Sequence, residues 1–207
     1  MNAAFERRLW WLVGAMLVAA AAAHFLADEA FARAAHANRL VESQILQWTT
    51  ELGEAGWWLI PAGVVFAVAA IRRQHNLARW AFAVIAAVGG SGIIVNLLKM
   101  AIGKTRPKLL FEEGRLEFVP FTYGHAFNGF PSGHATTCAA VATVLALAFP
   151  RGRVAFLAAA FALALTRVAI HAHYLSDVCA GFALGIACGL LTFGVWRAKW
   201  PASVPQA

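Results

Sequence analysis

Charged side chains are scarce in this sequence. Of its 207 residues, 13% are Asp, Glu, Lys or Arg, whereas 61% are hydrophobic. A soluble domain has too little interior to bury so many apolar side chains. The composition therefore excludes an ordinary soluble protein and indicates an integral membrane protein. The length fits a single domain, residues 1–207.

Cysteines are also few, and their arrangement excludes two kinds of structure. Their number is odd, and they lie inside apolar segments without the paired spacing of metal ligands: Cys138, Cys179 and Cys188. Neither a disulfide framework nor a zinc site is expected from this pattern. We interpret the three as small apolar residues in helix packing.

Acidic residues are outnumbered, with 10 acids against 17 basic residues. In a soluble protein this excess would suggest a nucleic-acid partner. Here the basic residues stand at the ends of apolar segments and within three motifs. We therefore expect the lipid bilayer, and no nucleic acid, as the partner of these charges.

Six apolar segments are each close to the ~20 residues that cross a bilayer core of ~30 Å. They predict an all-α membrane protein with six transmembrane helices, at about residues 9–27, 56–71, 80–98, 134–150, 154–171 and 178–196. The first segment also resembles a signal peptide, because Arg7 and Arg8 precede it. We favour an uncleaved span, since the apolar run extends through Ala27.

The distribution of basic residues predicts the orientation of these spans. The side that holds both termini has nine basic residues and one acid, Glu6, whereas the other side has eight basic and nine acidic residues. The positive-inside rule then places both termini in the cytoplasm. We expect a multi-pass protein of the bacterial inner membrane, with its other face towards the periplasm.

Two segments on the outer side are longer than turns. Residues 28–55 carry apolar residues at a 4-3-4 spacing, namely Val41, Ile45, Trp48 and Leu52. This spacing predicts one apolar stripe on a helix, either an amphipathic helix on the outer leaflet or a surface helix packed on the bundle. Residues 100–131 are rich in Gly, Pro and charge, and are expected to form an irregular cap.

Three short motifs stand at the outer mouths of the spans. They are Lys99-x6-Arg106-Pro107, Pro131-Ser132-Gly133-His134 and Arg167-x5-His173-x3-Asp177. Together they bring three cations, two histidines, one carboxylate and a serine turn to one face of the membrane. Such a set predicts a phosphate site at the depth of a lipid headgroup.

The chemistry of each motif suits phosphate. Ser132 and Gly133 open a helix whose free N–H groups attract an anion. His173 and Asp177 are four residues apart and so share a helix face. The carboxylate can then hold the imidazole Nδ1–H and leave Nε2 as a nucleophile, as a phosphohistidine mechanism requires.

Taken singly, the motifs have plainer explanations. Lys99 alone would be a lysine that snorkels to the interface, and Arg106 could belong to a basic loop with Lys104 and Lys108. A break near Pro107 is expected between Lys99 and Arg106. A metal cluster is disfavoured, because one carboxylate among three cations does not suit a bound cation. The remaining histidines are interpreted as structural: His24, His36, His75, His125 and His171.

In this order the motifs resemble those of the type-2 phosphatidic acid phosphatase superfamily of membrane lipid phosphatases. The signature is KxxxxxxRP, PSGH and SRxxxxxHxxxD over residues 99–177, with Thr166 in place of the serine. The resemblance implies that His173 attacks phosphorus, Asp177 orients it and His134 protonates the leaving oxygen. It implies phosphate contacts from Lys99, Arg106, Ser132, Gly133 and Arg167. Fixed cations would replace magnesium, so no metal or cofactor is expected.

The activity expected from this resemblance is removal of phosphate from a membrane lipid. Undecaprenyl diphosphate is the first choice, and phosphatidylglycerol phosphate, phosphatidic acid and the phosphates of lipid A stay open. The same phosphohistidine would serve a phosphotransferase with a lipid hydroxyl as acceptor. A non-catalytic anion or lipid transporter ranks last, because the charges lie at one face only.

Overall fold

The computed structural model describes residues 3–122 and 124–200, and these residues fold into nine α-helices. The helices are α1 (Ala3–Leu26), α2 (Asp28–Ala37), α3 (Gln44–Glu51), α4 (Gly56–Ile71), α5 (His75–Ile102), α6 (Pro107–Glu113), α7 (Gly133–Ala148), α8 (Arg153–Ala169) and α9 (Leu175–Lys199). Extended structure in this part of the chain is limited to one isolated bridge between Lys104 and Phe118. The predicted all-α fold is confirmed.

Five helical stretches are long and apolar enough to cross a membrane. They are Ala3–Leu26, Gln44–Ile71, His75–Ile102, Pro150–Ala169 and Leu175–Lys199. The predicted fourth span forms a helix, α7, but has only 16 residues. At 1.5 Å per residue it is about 24 Å long, shorter than a bilayer core of about 30 Å. Six spans therefore stay a prediction, and the predicted cytoplasmic tail after Trp200 lies outside the described residues.

Helix α7 forms the centre of the bundle. It packs against α5, α8 and α9, and nearly all of its side chains are buried. Helix α9 contacts α7 on one side and α1 on another, while α4 packs mainly on α5. Because protein surrounds α7, it can be short and still be shielded from solvent. Its first turn lies at the same end of the bundle as the start of α9, since Ser132 N donates to Asp177 O at 2.9 Å.

Glycines on α9 allow it to approach α7 closely. A Cβ atom at Gly181 would lie 2.4 Å from Ser132 O, and one at Gly185 would lie 2.3 Å from Thr136 O. Both distances are far below van der Waals contact. These glycines, which recur every four residues, therefore form a close packing surface between the two helices, as small residues commonly do in membrane proteins.

The outer segment 28–55 differs from its prediction. In place of one amphipathic helix, it folds into α2, a 3-10 turn at 40–42 and α3. The chain breaks at Arg39, which has a positive φ of 51°. The predicted stripe begins after this break, and the extended residue Ser43 separates Val41 from Ile45 and Trp48 on α3, which are 74% and 71% exposed.

In the predicted cap, residues 103–122 and 124–131 are irregular apart from α6 and a 3-10 turn at 125–127. Helix α5 ends at Gly103, which has the left-handed φ of 64° and lies against Val119 O. The break between Lys99 and Arg106 thus comes at Gly103, before the predicted position. Pro107 begins α6 at its first position, where its missing N–H costs no hydrogen bond.

Close packing of α7 and α9 predicts that Gly185→Ala destabilises the protein. The new methyl group would overlap Thr136 O and the side chain of Ala139. Overpacking of this kind costs about 1–3 kcal/mol. We expect a lower midpoint of thermal unfolding in detergent, followed by circular dichroism. The matched control is Gly194→Ala on the same helix, where no atom would lie within 4 Å of the new Cβ. An equal loss in both variants would contradict the packing argument.

Candidate active site

The first motif brings two cations to one carbonyl group. Lys99 lies in the last turn of α5, and Arg106 is the residue before α6. Lys99 Nζ donates to Asn128 O at 2.8 Å, and Arg106 Nη2 donates to the same oxygen at 3.4 Å. Because the chain turns at Gly103, both side chains reach the same carbonyl oxygen, although one residue lies on α5 and the other precedes α6.

The second motif forms the start of α7. Ser132 is the N-cap residue, but its Oγ makes no capping hydrogen bond and is buried. Gly133 lies close to the first motif, because a Cβ atom there would be 4.0 Å from Lys99 Cε. The first turn of α7 therefore lies next to a cation of the first motif, and free N–H groups at a helix N-terminus favour an anion there.

His134 lies on the first turn of α7 and faces the segment between α3 and α4. A Cβ atom at Gly53 would be 2.9 Å from His134 Cδ2, so only glycine fits there without a shift. Glu54 Oε1 lies 4.0 Å from His134 Nε2. The imidazole is thus held at the rim of the site, with the carboxylate of Glu54 beside it.

His173 lies in the turn between α8 and α9 and is 3% exposed. Its Nδ1 is 2.7 Å from Gly129 O, an acceptor only, so Nδ1 carries the proton and Nε2 does not. Burial, followed by the charges of Arg106 and Lys99, lowers the pKa of His173 well below its usual range. The residue is therefore a neutral imidazole with an available lone pair on Nε2.

Asp177 is near His173 but is occupied by other groups. Its Oδ2 lies 3.5 Å from His173 Nδ1 and accepts a shorter hydrogen bond, 2.9 Å, from Tyr174 N. Its Oδ1 accepts from Lys104 Nζ at 2.9 Å. The closest acceptor for the imidazole proton is therefore the carbonyl of Gly129. The predicted orienting role of Asp177 stays a prediction.

Arg167 completes the cation set from the last turn of α8. Its Nη1 donates to Thr50 Oγ1 at 3.1 Å, and its backbone oxygen accepts from His173 N at 3.1 Å. The guanidinium is thus tied to α3, while its main chain fixes the turn that carries His173.

Several buried donors at this place have no hydrogen-bond partner within the described part of the chain. They are Arg106 Nε, Ser132 Oγ and Arg167 Nε. Unsatisfied buried polar groups are costly and uncommon in folded proteins. One donor comes from each of the three motifs. A phosphate group, with several acceptor oxygens and negative charge, matches this set of donors.

Some functional residues were missed by sequence reasoning. Lys104 was assigned to a basic loop, yet it is fully buried and bound to Asp28, Ser176 and Asp177. The position of Lys104 inside the first motif was the one feature of the sequence that could have indicated its place at the site. Asp28 and the Gly129 carbonyl gave no signal, because their roles depend on which distant segments pack together.

Of the other histidines, His125 lies near the site, because the charge of Arg106, followed by burial and the charge of Lys99, lowers its pKa. His171 is two residues before His173. Its ring packs with those of His36 and Phe111, at 5.3 Å and 5.6 Å between ring centroids. This arrangement agrees with its interpretation as a structural residue. Among the described residues, no three His, Cys, Asp or Glu side chains are grouped as ligands for a metal ion.

Comparison with known families identifies the class of this protein. A model of the PAP2 superfamily matches residues 80–201, more than half of the chain, and the chain belongs to this superfamily. The resemblance drawn from the three motifs is confirmed. The matched range includes the whole of the candidate site except Thr50, Gly53, Glu54 and Asp28.

Particular relatives are similar over part of their length. The lipid A 1-phosphatases of Rhizobium johnstonii and Rhizobium etli are each 52% identical to this chain over 102 residues. The aligned region is 49% of this chain and 42% and 44% of those proteins, so the chain spans less than half of the length of these curated relatives.

Two crystal structures share the fold. The structure of Aquifex aeolicus LpxE has a TM-score of 0.55 at 23% identity, with 72% of this chain and 84% of that chain covered. A PAP2-type phosphatidylglycerolphosphate phosphatase from Bacillus subtilis has a TM-score of 0.64 at 24% identity, covering 90% and 94%. At these identities the likeness shows the architecture alone.

The neutral state of His173 predicts activity in mildly acidic solution. Because burial and nearby cations lower its pKa, protonation removes the nucleophile only well below pH 6.5. We expect the acidic limb of kcat/KM on a lipid phosphate to have its midpoint below that value. The control is His36→Gln, at a histidine stacked on Phe111. This variant should leave the midpoint of the acidic limb unchanged. A midpoint above 6.5 would contradict the assignment.

Proposed function

We propose that this protein is a membrane lipid phosphatase that acts through a phosphohistidine on His173. The observation that carries the proposal is the state of that side chain. It is buried and neutral, its Nδ1–H is bound to Gly129 O, and its free Nε2 lies beside cations whose donors are not satisfied. A nucleophile of this kind next to an anion site suits transfer of a phosphoryl group.

The first step is attack by His173 Nε2 on phosphorus. The N–P bond forms as the bond between phosphorus and the lipid oxygen breaks, and His134 donates a proton to that oxygen. The His173 ring gains positive charge in this step. The carbonyl of Gly129 and the carboxylate of Asp177, 3.5 Å from Nδ1, lie where they stabilise this charge.

The second step returns the enzyme to its starting state. His134, now neutral, accepts a proton from a water molecule whose oxygen attacks phosphorus. The N–P bond breaks, inorganic phosphate leaves and His173 is again neutral. Throughout, Lys99, Arg106 and Arg167 offset the charge on the phosphate oxygens, with help from Ser132 and the N–H of Gly133. We propose that these cations act without a metal or another cofactor.

The 1-phosphate of lipid A is the substrate that the comparisons favour. The Rhizobium relatives, which are named for that activity, are 52% identical over the aligned region, a much closer likeness than the two crystal structures offer. Undecaprenyl diphosphate, the first choice from the sequence, has no such support and becomes a second substrate for testing. No observation in the site favours a phosphotransferase over a phosphatase.

We also propose that the site faces the periplasm, with six spans, both termini in the cytoplasm and one domain. The ends of α5 and α8 and the starts of α7 and α9 meet at the site. The opposite ends carry basic residues, including Arg72, Arg73, Arg151, Arg153 and Arg197. This charge distribution supports a cytoplasmic position for that end.

The substrate proposal predicts a ranking of lipids. We expect the purified chain in detergent to release inorganic phosphate fastest from lipid A that carries a 1-phosphate, with EDTA present. Lipid A that carries only the phosphate on the other sugar, undecaprenyl diphosphate, phosphatidylglycerol phosphate and phosphatidic acid complete the panel. His173→Ala is the inactive control, and mass spectrometry of the lipids identifies the product.

Each alternative has its own outcome in this assay. A higher kcat/KM on undecaprenyl diphosphate would replace the proposed substrate. Loss of lipid phosphate without release of inorganic phosphate, together with a newly phosphorylated lipid, would identify a phosphotransferase. Activity that disappears in EDTA and returns with magnesium would contradict the proposed role of the three cations.

The proposed roles predict that the two histidines fail differently. His173→Ala has no nucleophile, so we expect neither turnover nor a phosphoenzyme. His134→Ala keeps the nucleophile but loses the proton donor, at a cost of about 10²–10⁴ in rate. That cost should shrink on a lipid diphosphate, because its phosphate leaving group needs less protonation. Quenched-flow trapping of the phosphoenzyme and steady-state rates on both substrate types measure this. Equal losses for both variants on both substrates would show that His134 is not the general acid.

A further inference from the structure

A buried lysine lies directly behind the candidate nucleophile. Lys104 Nζ donates to Asp28 Oδ2 at 2.7 Å, to Ser176 Oγ at 2.6 Å and to Asp177 Oδ1 at 2.9 Å. The side chains of the two ion pairs are 0% exposed. An ammonium group has three N–H donors, and all of them are used here. Lys104 is therefore not available to hold phosphate, unlike the other cations of the first motif.

Burial of this cluster needs an explanation other than stability. Taking two carboxylates and an ammonium group out of water is expensive, and apolar residues of similar size are often as stable or more stable in such places. The cluster also carries one more carboxylate than ammonium groups. It joins α2, the loop after α5 and the first turn of α9, which are otherwise far apart in sequence.

The contacts of this cluster lead to the turn that carries His173. Asp28 Oδ1 accepts from Ser176 N at 2.8 Å, and Asp177 Oδ2 accepts from Tyr174 N at 2.9 Å. The Tyr174 ring lies 4.7 Å from Lys104 Nζ. Residues 174–177 directly follow His173, so the bonds that fix them also fix the imidazole.

We propose that Asp28 and Lys104 are a positioning pair for the nucleophile. They touch no phosphate, and they act by holding the carboxylate of Asp177 and the turn at 174–177 so that His173 Nε2 faces the anion site. Asp28, at the end of the first predicted span, lies outside the stretch matched by the superfamily model. This inference rests on the proposed role of His173.

The pair also sets the charge behind the imidazole. Lys104 lies between the carboxylates of Asp28 and Asp177, and His24 Nδ1 lies 3.5 Å from Asp28 Oδ2. The charged groups that act on His173 or lie beside it are Lys99 from α5, Arg106 before α6, Arg167 from α8 and Asp177 from α9. A change in the pair should therefore alter the protonation of His173 as well as its position.

The test compares substitutions within the pair with a neighbouring control. Lys104→Met removes the cation, Asp28→Asn removes one carboxylate with little change of shape, and Glu29→Gln alters an exposed residue that pairs with Arg33 on the same helix. The variants are assayed on a lipid phosphate in detergent as kcat and KM per folded enzyme. The inhibition constant for inorganic phosphate is measured for each.

We expect Lys104→Met to lower kcat about 10²-fold, the size of effect that a misplacement of 1 Å produces. The value of KM and the phosphate inhibition constant should stay within about threefold of wild type, since the three phosphate-binding cations are intact. Asp28→Asn should lower kcat less, and Glu29→Gln not at all. If Lys104→Met does not fold, Asp28→Asn and Lys104→Arg still test the pair, and Lys104→Arg should recover part of kcat.

The pH dependence separates positioning from a merely structural role. Loss of the Lys104 cation leaves more negative charge near His173, which favours imidazolium, so the acidic limb of kcat should move to higher pH. Asp28→Asn removes negative charge and should move the limb to lower pH. Opposite shifts support the pair. A kcat within threefold of wild type, or a fall in kcat without opposite shifts, overturns it.

The controls keep this proposal separate from the proposed function. If wild-type enzyme is inactive on every lipid, or His173→Ala remains active, the proposed function fails. If the wild type is active, His173→Ala is inactive and the pair variants behave as wild type, the positioning pair alone fails.

Discussion

The close contact between the start of α7 and the start of α9 is the constraint on which the site depends. Ser132 N donates to Asp177 O, and Ser132 O lies where any side chain at residue 181 would collide with it. Glycine at 181 therefore allows the second and third motifs to meet. A larger side chain there would separate the helix N-terminus from the turn that carries His173.

A second constraint is the repulsion among like charges. Lys99, Arg106 and Arg167 are brought close enough for their charges to act on His173, and part of each side chain is shielded from water. Carbonyl and hydroxyl oxygens from Asn128 and Thr50 offset only part of this positive charge. A phosphate group would complete the compensation. The proposed affinity for a lipid phosphate would follow from this electrostatic imbalance.

The surroundings of His173 suit both charge states that the proposed reaction gives its imidazole. Burial and nearby cations keep the imidazole of His173 neutral, as the proposed attack on phosphorus requires. In the proposed reaction the ring becomes positive after attack, and the Gly129 carbonyl and the Asp177 carboxylate would then be favourable neighbours. The buried cluster of Asp28, Lys104 and Asp177 lies on the Nδ1 side of that ring, with Asp177 Oδ2 3.5 Å from Nδ1.

Much of the local structure could be predicted from the sequence because hydropathy and helix breaking are local properties. Apolar length predicted the five confirmed span-length helices, and the order of three motifs predicted the superfamily. Residues 28–55 were wrongly predicted as one helix. The apolar spacing that suggested it begins at Val41, and a pattern does not show that the backbone turns at Arg39 and is extended at Ser43.

The tertiary structure alone decided the partners of the buried polar groups. Ser176 and Asp28 are 148 residues apart, and they meet because α1 packs along α9. For the same reason the Gly129 carbonyl, which no side-chain pattern marks, is the acceptor closest to His173. The sequence by itself determined which residues can carry charge, protons and phosphate. Packing decided which of them face each other, because hydrogen bonds depend on distances that only the folded chain defines.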